Sequence, residues 1–158
     1  MSRRCALLAN ASYRVLAVLG VAFIFFAFDE LLSIHEKITR LLRGYPWIPK
    51  FRGKHGIWIF VYLLLGVPSG LLLWRNLHVL SNRYSREIRV MLWGATVFVF
   101  GAVVLEIIKY QFLAGTSIPY IGRIEIVLEE MSEMMGASLI LYGVALLRLR
   151  LTREASEK

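Results

Sequence analysis

The sequence predicts an all-α integral membrane protein, a bundle of four transmembrane helices with the N and C termini on the same side. Three observations carry this. Of the 158 residues, 58% are hydrophobic and the mean hydropathy is +0.61, beyond the roughly half-apolar composition of soluble domains. Four stretches reach the roughly 20 mostly apolar residues that a helix needs to cross the hydrocarbon layer. The charged residues gather around those stretches, and little chain is left over for a soluble domain.

The first span, Val15–Ile34, follows Met1-Ser2-Arg3-Arg4 and ends in acids with no small-x-small cleavage site, so it is expected to stay as a signal anchor. Cys5 is the one cysteine and is expected to be a free thiol. Residues 39–55 are expected to form an interfacial loop, with Tyr45, Trp47 and Phe51 at headgroup level beside its cations. The second span, Gly56–Trp74, holds Pro68 between Gly66 and Gly70, a pattern that kinks a helix or lets another approach it. The third span is Val90–Leu113 and the fourth Ile126–Leu147. Gly136 and Gly143 share a face of the fourth, which should point into the bundle. Residues 150–158 should form a flexible tail, and 1–158 a single transmembrane domain.

Four spans put the N-terminus, the loop between spans two and three, and the C-terminus on one side, here side A. Side A carries 11 lysines and arginines against 8 on side B, which makes it cytoplasmic by the positive-inside rule. The expected location is a bacterial inner membrane. The net charge of +8 flanks apolar spans and forms no soluble basic face, so anionic lipid headgroups, and not nucleic acid, are the expected partners. The small size also fits a homo-oligomer or a subunit among other membrane proteins.

Eight of the 11 acidic residues fall toward the B ends of spans one, three and four: Asp29, Glu30, Glu36, Glu106, Glu125, Glu129, Glu130 and Glu133. At a rise of about 1.5 Å per residue, Asp29, Glu106 and Glu133 lie roughly 4–8 Å inside the B-side hydrocarbon boundary. Glu125, Glu129 and Glu133 share the glycine face of the fourth helix, while Asp29, Ser33 and Glu36 share a face of the first. Ionisable groups within spans are costly and mark functional sites.

Clustered carboxylates cannot all ionise in a poorly solvated place without a cation. Three solutions stand open. One is a divalent metal (iron, manganese, calcium or zinc) on Asp29, His35, Glu36, Glu106, Glu129, Glu130 and Glu133. His35 is the sole nitrogen donor near this layer, and a continuous helix turns it away from Asp29, so it joins only if the helix bends. The second is proton or sodium chemistry in a carrier. The third is internal pairing, Glu36 with Arg40, Glu106 with Lys109 or Lys37, and Glu125 with the neighbourhood of Arg123, in an accessory subunit of a larger complex. Met131, Met134 and Met135 are expected to pack, and His55 and His78 to lie at span boundaries.

The strings Phe28-Asp29-Glu30-Leu-Leu-Ser-Ile-His35-Glu36 and Leu128-Glu129-Glu130-Met-Ser-Glu133-Met134-Met-Gly136 resemble small, uncharacterised bacterial four-span membrane proteins. There, Asp-Glu-x4-His-Glu ends the first span and Glu-Glu-x2-Glu-Met-x-Gly opens the last. The resemblance implies that the two acidic motifs belong together, and it implies no reaction. No phosphate-binding loop, nucleophile-base motif or paired-histidine haem signature names one either.

Overall fold

The computed structural model describes residues 3–51, 55–113 and 120–157. Its helices are α1 (Arg3–Leu32), α2 (Ile34–Leu42), α3 (Ile57–Ser81), α4 (Ser85–Val99), α5 (Glu106–Ile108) and α6 (Ile121–Ser156). Two π-helical stretches, Phe100–Leu105 and Lys109–Leu113, flank α5 and join it to α4 as one long rod. No strand occurs among the described residues.

Four helices are long and apolar enough to cross a membrane: Leu7–Leu32, Ile57–Ser81, Ser85–Phe112 and Arg123–Ser156. Each contains most of an expected span, so the fold class is the one the apolar runs predict. The rods outrun the bilayer. α1 has 30 residues and α6 has 36, or about 45 and 54 Å against roughly 30 Å of hydrocarbon. Their excess lies mainly toward side A.

The chain departs from expectation at the end of the first span. α1 stops at Leu32, and Ser33 takes a left-handed conformation (φ 48°, ψ 50°) before α2 begins. Residues 39–42, expected in the interfacial loop, therefore belong to a helix. α2 is tied to the start of α3 by a hydrogen bond from the Trp58 backbone N–H to Thr39 Oγ1 at 3.4 Å. Gly56 opens α3 at φ 70°, and a Cβ there would lie 2.6 Å from Phe51. Phe51 itself stacks on Phe60, ring centres 5.3 Å apart. Cys5, Arg52 and Lys54 lie outside the described side chains.

Packing sorts the rods into two pairs, α4 with α6 and α1 with α3, joined through α3 and α4. Glycines set the first pair. A Cβ on Gly94 would sit 2.7 Å from the Ile140 backbone nitrogen, and one on Gly136 would sit 2.7 Å from the Gly94 carbonyl. Gly143 faces Met91 and the Glu87 carbonyl. Backbones can approach this closely only where side chains are absent. Gly136 and Gly143 do point inward. Gly66 and Gly70 do not follow: α3 runs unbroken through Pro68, and a Cβ added at either glycine would meet no packing neighbour within 4 Å among the described residues.

The apolar core sits at the A end, where Ala11, Val15, Leu80, Tyr84, Ile88, Met91 and Leu147 meet from all four rods. A polar clasp closes it. The Tyr84 hydroxyl donates to Glu154 at 3.0 Å, Arg83 pairs with Glu154 at 3.2 Å, and Arg150 pairs with Glu87 at 3.0 Å while lying over the Tyr84 ring. Burial first, and then the bond to Glu154, raises the Tyr84 phenol above its ordinary value, against the lowering effect of Arg83.

Candidate functional site

At the B end the same rods carry ionisable side chains. They form two groups around one cavity.

The first group is built on the break at Ser33. Ending α1 there turns the chain so that the His35 backbone N–H donates to Asp29 Oδ1 at 2.8 Å, and His35 Nδ1 lies 3.1 Å from Asp29 Oδ2. Asp29 thus caps α2 from six residues upstream, at the end of a helix that favours negative charge. Tyr62 of α3 donates its hydroxyl to Asp29 Oδ1 at 2.8 Å. The carboxylate is 8% exposed, and three polar contacts compensate its loss of water. The His35 ring stands edge-on to Trp58, 5.6 Å between centres, and Trp58 stands edge-on to Tyr62 at 5.1 Å.

The second group spans the third and fourth rods. Gly101 lets the π-helical stretch press against α6: a Cβ there would lie 2.8 Å from the Ser132 Cβ and 3.0 Å from the Glu129 carbonyl. Just beyond, Glu106 comes from α5, while Glu125 and Glu129 come from successive turns of α6. One oxygen from each of the three lies within 4.8 Å of the others. Lys109 Nζ sits among them, 3.4 Å from Glu106, 3.5 Å from Glu125 and 3.3 Å from Glu129. Glu106 and Glu125 are only 5% and 7% exposed. Neither Glu125 oxygen has a hydrogen-bond partner among the described residues, and its contact with Lys109 is one of charge.

A cavity of about 350 Å³ lies between the groups, a volume in the range of small-molecule sites. His35 and Trp58 line it from one side, Glu106, Lys109, Tyr110 and Glu129 from the other, with Arg40 of α2 and Arg43 just after it. His55 stacks on Tyr110 at 5.3 Å, with the rings 13° from parallel.

Of the expected metal ligands, Asp29 and His35 stand together, and Glu106 and Glu129 stand together. Glu36 also lines the cavity, but it is exposed and lies 4.0 Å from Arg40, the pairing expected of an i,i+4 neighbour. Glu130 faces outward, and Glu133 is half-buried but belongs to neither group. Glu125 was absent from the expected ligand set although it lies one turn from Glu129 on the same face. Tyr62 and Trp58 were missed as well; a tyrosine hydroxyl inside an apolar span, which needs a buried partner, was the available signal. Met131, Met134 and Met135 are exposed and gather at no site.

The geometry defines a membrane-embedded helical bundle with a carboxylate cluster beside a polar cavity. The chain belongs to the family described as domain of unknown function DUF8692, whose family model matches residues 5–149. Neither a curated protein nor a solved structure matches the chain.

Proposed function

We propose that this membrane protein binds a divalent metal cation at Glu106, Glu125 and Glu129. The observation that carries the reading is the charge imbalance: three clustered carboxylates, two of them buried, face the single ammonium of Lys109. One cation offsets one carboxylate, and the Glu125 oxygens still lack a donor among the described residues. Carboxylate oxygens drawn from two helices of a bundle are the donor set that iron, manganese or calcium takes. Lys109 occupies the place of an ion, and its long, partly exposed side chain leaves when the metal enters.

Elemental analysis of protein extracted gently from its native membrane tests this. We expect about one metal ion per chain, lost in Glu125→Gln and retained in Glu130→Gln, whose side chain faces outward. Wild-type protein without metal contradicts the reading. Native-gel size from the same preparation addresses a second reading, a subunit of a larger membrane assembly. Gly66 and Gly70 support it, because a small-residue face in a span suits an approaching helix and none among the described residues approaches. Migration as a lone chain counts against it.

The excess of basic residues on side A supports an inner-membrane orientation with both termini cytoplasmic. A thiol reagent that cannot cross membranes should miss Ser156→Cys in a Cys5→Ser background in intact cells. Labelling there reverses the orientation.

A further inference from the structure

We infer that His35 supplies a nitrogen ligand to the ion of this cavity, which makes the site selective for a transition metal over calcium or magnesium. The inference rests on the carboxylate site proposed above and names the class of metal it takes. Its starting point is the left-handed Ser33 (φ 48°), a conformation that is unfavourable for any residue with a Cβ. Such strain persists where the surroundings fix it, and it clusters at functional positions. Its product here is specific: the break carries His35 from the far side of the first helix onto Asp29.

Asp29 then fixes the ring. With Nδ1 at 3.1 Å from Asp29 Oδ2, the proton is held on Nδ1, and Nε2 is the nitrogen left to donate a lone pair. Tyr62, at 2.8 Å from the other carboxylate oxygen, fixes Asp29 in turn. A carboxylate that holds the distal nitrogen of a histidine is the arrangement that orients metal-binding imidazoles and raises their basicity. The ring lines the same cavity as Glu106, Glu129 and Lys109. His35 stands outside the three oxygens that lie within 4.8 Å of one another. The ion it meets therefore sits on the cavity side of Glu106 and Glu129, in the space that Lys109 vacates. Imidazole nitrogen suits iron, cobalt and zinc more than manganese, whereas calcium and magnesium take oxygen.

The test uses the full chain in detergent, with cobalt(II) and calcium(II) as probes. Wild type should bind cobalt(II) at least about tenfold more tightly than calcium(II). His35→Gln and Asp29→Asn should each weaken cobalt(II) binding about 10–100-fold, the usual cost of losing such a ligand or its partner. Both variants should leave calcium(II) binding within about twofold of wild type, which also shows that they fold. Nitrogen hyperfine coupling to bound manganese(II) should be present in wild type and absent in His35→Gln. Cobalt(II) affinity unchanged in His35→Gln, with binding still lost in Glu125→Gln, overturns the histidine and leaves the carboxylate site standing. Wild-type protein that binds neither ion overturns both.

Discussion

Lys109 reaches three carboxylates and can neutralise one of them. Each contact between unit charges at about 4 Å is worth about 4 kcal/mol at an effective dielectric of about 20, so the ammonium competes directly with a bound ion. Lys109→Met keeps the length and apolar character of the stem and removes the charge. We expect it to raise manganese(II) affinity by about tenfold or more and to lower the melting temperature in chelator. Unchanged or weaker manganese binding would show that the lysine is the cluster's proper counter-ion. At this scale the acids were legible, because an ionisable group in an apolar run is costly wherever it appears. The pairing of Glu106 with Lys109 was legible from their spacing. Glu125 was overlooked as a ligand because the expected fourth span began at Ile126, which placed it at the edge of the membrane; the rod in fact begins its apolar stretch at Arg123. His35 was legible only as a ligand that joins if the helix bends; the bend itself was not, since a left-handed serine carries none of the signal a glycine would give.

The contact between the third and fourth rods is the element that sets the site. Gly94, Gly101, Gly136 and Gly143 mark a seam along which the backbones touch, and Gly101 lies next to Glu129. A side chain on Gly136 meets the Phe98 backbone, which cannot move as a side-chain tip can. Gly136→Val should therefore push the rods apart, costing about 1–3 kcal/mol or more. A thermal shift assay in detergent should show the loss, with metal binding weakened as the carboxylates separate. Gly66→Val, on an open face of α3, should be close to neutral in an isolated chain. Equal losses in the two variants would contradict this seam. Gly136 and Gly143 were readable as an inward face from their seven-residue spacing. The π-helical stretches around Glu106 were not, because a widened turn changes register without a side-chain pattern, although such turns are frequent at functional sites. α2 was hidden for a related reason. Nine residues are too few to stand out as a helix, and its hold on the fold is the cap from Asp29 and the tie to Trp58.

Across the whole molecule the two ends divide the labour. The A end is a closed apolar core with an ionic clasp of Arg83, Glu87, Arg150 and Glu154. The B end gathers its charges around a cavity, with Asp29, Glu106 and Glu125 buried. The membrane fold follows from four apolar runs, and the A-end core gathers side chains from all four rods. In the B-end cluster the three carboxylates outnumber the one lysine among them. The most direct test of this account is a manganese(II) titration of the detergent-solubilised full chain, in which the free ion is followed by electron paramagnetic resonance. We expect the signal of free manganese to be suppressed until about one ion per chain has been added, and Glu125→Gln to abolish the suppression. A free-ion signal that rises from the first addition, in wild type as in Glu125→Gln, would contradict it.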